Sequence, residues 1–159
     1  MRILIVDDEQ IRHDYFAQAY AGDEVVHVYG YYEATDVLDK GPKFDIIQLD
    51  HDLGDHRVPD KMVEMYGTYE LTGWHVAHHI ATEMPHDMRP DKVIVHSVNP
   101  DGAHSIEMFL ERHGFDVVRR VDLCRETDQH RLLRSNRTSA HQETSGALAS
   151  DPSCKPPVA

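Results

Sequence analysis

Residues 44–55 read FDIIQLDHDLGD. The first half is mostly apolar, only six residues long, and preceded by the helix- and strand-breaking pair Gly41-Pro42. Such a short apolar run between breakers reads as a buried strand. It stops abruptly in Asp50, His51 and Asp52, three groups able to hold a cation or move a proton. The fold and the function both turn on what stands at the ends of the other strands.

Four further runs have the same character: RILIV (2–6), EVVHVYG (24–30), KVIVHSVNP (92–100) and FDVVRRVDL (115–123). Helical patterns separate them. In residues 9–21, Ile11, Tyr15 and Ala19 recur at intervals of four and predict an apolar stripe. Residues 33–40, EATDVLDK, predict a short helix closed by Gly41-Pro42. TGWHVAHHIATEM (72–84) sets Trp74, Ala77, Ile80, Ala81 and Met84 on one face, with Pro85 as the stop. HSIEMFLERHG (104–114) groups Ile106, Phe109, Leu110 and His113, with Gly114 at the stop position. The polar connection 54–71 carries a short helical pattern around Lys61–Met65. Its length marks it as a functional or a mobile loop, in the first case suited to closing over a substrate.

Buried strands alternating with helices predict an α/β fold: a doubly wound, five-stranded parallel sheet covered on both faces. The folded domain is expected over residues 1–124. No aromatic residue follows Phe115, and residues 135–159 are rich in Ser, Thr, Ala and Pro. Residues 125–159 are therefore expected to form one partial helix near 125–134 and then a flexible, disordered tail.

The net charge of −12 is unevenly placed: residues 1–122 hold 24 of the 28 acids but only 11 of the 16 Lys/Arg, a balance of −13. Such a body is a poor match for duplex DNA, which needs a basic face, but can take a small phosphate ester or nucleotide through a metal ion. No stretch approaches the roughly 18 apolar residues of a membrane span. The start, MRILIVDDE, is too short and too quickly acidic for a secretory signal. A cytoplasmic protein is expected, with Cys124 and Cys154 as reduced thiols.

In an open α/β sheet, ligands bind at the carboxyl ends of the strands. The first strand ends in Asp7-Asp8-Glu9, the third in Asp50-His51-Asp52, the fourth in His96-Ser97 with Asn99 next, and the fifth near Arg119-Arg120-Asp122. Acids gathered from two neighbouring strands repel one another unless a cation neutralises them. Mg2+ or Mn2+ fits, because both take oxygen ligands. The plainer reading of one such acid is a helix N-cap, with Asp7 or Asp8 accepting free N–H groups. His51 has two readings: a proton-transfer group, or a ring turned away by strand alternation that orients Asp50. His96, beside Ser97, is assigned to the site. Asn99-Pro100-Asp101-Gly102 reads as turn chemistry first, with the Asn99 amide available to a ligand. His75 and His79 fall opposite the apolar face of their helix and are expected on the solvated surface. His113 is expected to cap carbonyls at the end of its helix. His13, His27, His86, His104, His130 and His141 show no partners in the sequence.

MRILIVDDE followed by FDIIQLDHDL is similar to the response-regulator receiver domain, a flavodoxin-like fold. The resemblance implies that Asp7, Asp8 and Asp50 bind Mg2+, that Asp50 accepts a phosphoryl group, and that Ser97 stands at the strand-four position. A receiver's strand-five lysine has no counterpart, since no Lys lies between Lys92 and Lys155. That departure argues against ordinary phosphoryl signalling.

LDHDLG, the Gly-Trp pair at 73–74, and VHSVNP with Gly102 and Met108 beyond are a more specific match over residues 1–120. They resemble the cyclic-phosphate-processing receiver-like domains. That resemblance implies a metal-dependent phosphoesterase acting on cyclic phosphates such as RNA 2′,3′-cyclic ends. The expected assignment has Asp7, Asp8, Asp50 and Asp52 as metal ligands. Asp50, His51 and His96 are catalytic, and Ser97 and Asn99 position the phosphate. Two alternatives stand beside it: a receiver phosphorylated on Asp50, and a non-catalytic receiver-like module that binds a ligand or partner.

Overall fold

A computed structural model of the chain describes residues 1–54, 58–67 and 70–120. The apolar runs form five parallel strands: β1 (Arg2–Val6), β2 (Glu24–Val28), β3 (Ile46–Leu49), β4 (Lys92–Val95) and β5 (Val117–Arg119). Their spatial order is β2-β1-β3-β4-β5. Helices α1 (Gln10–Ala19), α2 (Tyr31–Lys40), α3 (Asp60–Tyr66), α4 (Gly73–Thr82) and α5 (Pro100–Arg112) connect them, with a short 3-10 turn at His86–Met88. The expected partial helix and tail after residue 124 lie outside the described residues, as does everything beyond residue 120 in the expected fifth strand.

Side chains alternate between the two faces of a strand, and here the alternation sorts the core. Leu4, Val6, Ile47, Leu49, Val93 and Val95 join the larger apolar cluster with α2, α4 and α5. Ile3 and Ile5 face the other way and meet Phe16 of α1. All the strand residues just named are completely buried. Continuous apolar strands are what a sheet covered on both sides requires.

The register fixes the site. Val6 lies beside Leu49, and Leu49 beside Val95. The ladder runs one residue further: Asp50 N donates to Val6 O at 3.0 Å, and His96 N donates to Leu49 O at 3.0 Å. Asp7, Asp50 and His96 therefore stand side by side at the carboxyl edge. Each follows a residue of the larger cluster, so each falls on the α1 side.

Two helices depart from the sequence reading. The buried face of α1 is Arg12, His13 and Phe16, not the stripe Ile11, Tyr15 and Ala19, of which Ala19 is exposed. This helix is oriented by charge pairing to the strand-end acids as much as by apolar burial. Helix α5 starts at Pro100 rather than at 104, so Asn99-Pro100-Asp101-Gly102 is a helix start and not a free turn. Asn99 is the N-cap, its side chain accepting from Gly102 N at 3.0 Å, and Pro100 takes the first position. Proline suits that position because its missing N–H would have no partner there.

Candidate functional site

Asp7, Asp8 and Asp50 each bring a carboxylate oxygen to within 4.8 Å of the others. Asp7 and Asp50 are buried, while Asp8 is exposed. Reading α1 by its apolar stripe missed the group that holds them together. Arg12, buried on the first turns of α1, donates from Nε to Asp7 Oδ2 at 2.5 Å. It also donates from Nη2 to Asp50 Oδ2 at 2.6 Å and to Asp8 Oδ1 at 3.4 Å. The signal in the sequence was spacing: a base four and five residues after two strand-end acids, at the start of a helix that must pack over them.

His96 is fully buried. Its Nε2 lies 2.8 Å from Asp7 Oδ2, and its ring packs edge-on against Phe16, centroids 4.9 Å apart. Asp7 is an acceptor, so the pairing places the proton on Nε2. Burial acts to raise the Asp7 carboxyl, but the hydrogen bonds and charges of His96 and Arg12 outweigh it and hold the group below its ordinary range. Asp50 goes the other way. Burial, then the negative charge of Asp7, pushes it up to about 6 despite the opposing pull of Arg12, His96 and the Ser97 side chain. Asp8 is raised too, first by burial and then by Asp7. The buried acids thus diverge, with Asp7 held low and Asp50 raised to about 6.

After β3 the chain bends at His51, whose ring faces α5 rather than α1. Its Nδ1 is 2.7 Å from Asp52 Oδ1, and Asn99 Nδ2 reaches the same oxygen at 3.4 Å. Asp52 is half exposed and serves this pair; it is not in the group of three converging carboxylates. Ser97 is buried and accepts from Asn99 N at 3.2 Å.

Two glycines make the packing possible. A Cβ on Gly102 would lie within 2.6 Å of three atoms of the His51 ring. A Cβ on Gly73 would lie 1.8 Å from the Asp50 carbonyl oxygen, and Gly73 N donates to His51 O at 2.7 Å.

Residues 2–112 match the family model of the cyclic-phosphate processing receiver domain. The chain belongs to this family. The match spans β1 to β4, all five helices to the end of α5, and every site residue named above, and stops short of β5. This cyclic-phosphate processing receiver domain also shares its fold with solved response-regulator receivers. The phosphorylated cyanobacterial phytochrome response regulator RcpA is 18% identical, with 80% of this chain and 86% of that one covered and a TM-score of 0.50. A CheY-like receiver domain from Methylobacillus flagellatus is 16% identical over 77% and 86%, TM-score 0.51. The response regulator TrrA of Thermotoga maritima, solved with Mg2+ and BeF, is 20% identical over 81% and 96%, TM-score 0.50. An uncharacterized protein of Acanthamoeba polyphaga mimivirus is 33% identical over 53 residues, 33% of this chain and only 8% of that protein's length.

The remaining histidines of this receiver domain sort differently from expectation. His75 is buried rather than solvated: its Nδ1 accepts from Thr72 N at 3.0 Å and closes the start of α4, and burial lowers its pKa. His79 Nε2 sits 2.8 Å from Asp39 Oδ1 across to α2. His13, expected without a partner, bridges the Asp7 carbonyl at 2.8 Å and His27 Nδ1 at 2.7 Å. Burial, then His13, lowers the pKa of His27. His104 faces Glu107 at 3.5 Å. His113 does meet a carbonyl of its own helix, Phe109 O, at 2.8 Å. His130 and His141 lie outside the described residues. Among the described residues, no helix is long and apolar enough to cross a membrane.

Proposed function

We propose that this receiver domain is a metal-dependent phosphoesterase that opens cyclic phosphates, with RNA 2′,3′-cyclic ends as the substrate class. The reading rests on one juxtaposition: three carboxylates converging within 4.8 Å at the strand ends, directly followed in the chain by a His51–Asp52 pair. The donor set suits a hard divalent ion, being all carboxylate oxygen, and the buried acids need a positive charge to ionise together. Asp7, Asp8 and Asp50 would hold Mg2+ or Mn2+, which supplies charge neutralisation at the phosphoryl oxygens.

Water attacks phosphorus and one ring P–O bond breaks. The proton leaves the attacking water and ends on the departing ribose oxygen. His51 is the group for this transfer. Its Nδ1 is taken by Asp52, which fixes the tautomer and leaves Nε2 for the proton. Asn99 steadies Asp52 and presents its amide at the mouth of α5. His96, fully buried, touches Asp7 and acts as a positioning residue; Ser97 does the same for Asp50.

The test is hydrolysis of an RNA oligonucleotide ending in a 2′,3′-cyclic phosphate, with Mg2+ or Mn2+, by wild type, Asp50→Asn and His51→Gln. Metal-dependent ring opening is expected, abolished in the first variant and reduced about 100-fold or more in the second. No turnover by the wild type removes this activity.

A second reading has a specific basis. Asp50 ends β3 with Ser97 bonded to it, the place of a phosphoryl acceptor, and an acyl phosphate seen by intact mass would establish it. Against it stands the absence of any Lys between Lys92 and Lys155. A thermal shift with a ligand, without turnover or phosphorylation, would instead indicate a binding module.

A further inference from the structure

Asp7 Oδ2 already accepts two hydrogen bonds, from Arg12 Nε at 2.5 Å and from His96 Nε2 at 2.8 Å. Two is the number of lone pairs on a carboxylate oxygen. Asp50 Oδ2 accepts from the same guanidinium at 2.6 Å, and Asp8 Oδ1 faces it at 3.4 Å. One monovalent cation therefore spans all three carboxylates of the candidate metal cluster. A divalent ion drawing on Asp7 Oδ2 must displace a donor, and an ion placed among the three carboxylates also lies close to a like charge. His96 cannot yield easily, being fully buried and packed on Phe16. Arg12 can, because its guanidinium hangs on a long flexible side chain from the outermost turns of α1.

We propose that Arg12 is a resident counter-ion that competes with the divalent metal for Asp7, Asp8 and Asp50, and so sets the metal concentration at which the site fills. The inference rests on the metal-binding reading above and adds a regulator to it. In the metal-free protein, Arg12 neutralises acids that would otherwise repel one another in a buried place. When metal arrives, the same residue opposes it. The domain is thereby kept folded without metal and made selective for conditions in which metal is abundant. Lysine should compete less well than arginine, because an ammonium is a point charge and lacks the fork that reaches two carboxylates at once.

The experiment is Mn2+ binding by isothermal calorimetry at pH 8, with the metal-free melting temperature measured in parallel. The full chain is compared as wild type, Arg12→Lys and Arg12→Gln. The expected order is about threefold tighter binding for Arg12→Lys and tenfold or more for Arg12→Gln, while the metal-free melting temperatures fall in the same order. A residue that merely braces the carboxylates would lower affinity when removed, so equal or weaker binding in the variants overturns the proposal. If Arg12→Gln does not fold without metal, Arg12→Lys decides alone. Equal Mn2+ affinity in all three proteins sinks the competition and leaves the metal site standing. Absence of binding in all three sinks both. Tightened binding without any turnover of cyclic phosphate supports the competition and removes the phosphoesterase reading.

Discussion

At the amino edge of the sheet, Lys43 meets Asp91 at 2.6 Å, Lys92 meets Asp116 at 3.1 Å, and Arg2 meets Glu24 at 2.8 Å. At the carboxyl edge, Arg12 meets Asp7 at 2.5 Å and Asp50 at 2.6 Å. The distances are alike. The settings are not: the side chains of Asp91, Asp116 and Glu24 are 67%, 57% and 65% exposed, whereas those of Asp7 and Asp50 are 0% and 3%. Water reaches the acids of the first group and screens them, and each of its cations meets a single carboxylate within these pairs. In the second group one cation serves several acids, and the loss of one partner strands the rest. The same residue types form screened pairs at one end of the sheet and a buried, shared network at the other.

Removing Arg12 should break this contrast most strongly. In the metal-free protein at pH 8, Arg12→Met is expected to lose about 3–5 kcal/mol in urea unfolding, the scale for stranding a buried charge. The loss should shrink at pH 5, where Asp50 takes up a proton and relieves part of the repulsion.

The next effect concerns pH in the wild type. Asp50 is raised from the ordinary carboxylate range to about 6, so its protonated form is favoured in the folded state. Its stabilising contribution is complete below pH 4 and is lost as pH rises through 6. On the order of 3 kcal/mol is at stake, at about 1.4 kcal/mol per pH unit. Unfolding measured from pH 4 to 8 should show this decline, and Asp50→Asn should flatten it.

A smaller, steric effect comes from Gly73→Ala, where the new Cβ meets the Asp50 carbonyl. About 1–3 kcal/mol of destabilisation is expected, with the tip of β3 displaced. The smallest effect belongs to the amino edge. Lys92→Ala and Lys43→Ala should each change stability by about 0–1 kcal/mol at any pH between 5 and 8. A loss there comparable with that of Arg12→Met would erase the distinction between the two edges.

The sheet was legible because a strand covered on both faces leaves an apolar run, complete in β1 and shorter in the half-buried edge strands β2 and β5, and all five runs became strands. The acids of the site were legible because each interrupts such a run at its carboxyl end. Arg12 was not, since reading a helix by its apolar stripe sends an arginine to solvent. The face of α1 that turns inward does so partly because the acids of β1 and β3 require a counter-charge. His75 was misread for a related reason: at the third position of α4 its ring accepts the Thr72 N–H, and that hydrogen bond makes burial affordable. The start of α5 was hidden because Asn-Pro-Asp-Gly serves turns and helix N-termini equally well. In the fold, the Asn99 cap on Gly102 N and the close approach of Gly102 to His51 go with the helix start.

Gly73 opens α4, and Gly102 lies in the first turn of α5. Between them they grip residues 50 and 51, one helix against the carbonyl of Asp50 and the other against the His51 ring. No compressible side chain intervenes on either side, so the tip of β3 behaves as a tongue between two rigid jaws. A small lift of α5, such as one caused by a mutation on its far side, is expected to be felt first at the imidazole. The ring-proton resonances of His51 are thus a strain gauge for the seating of that helix.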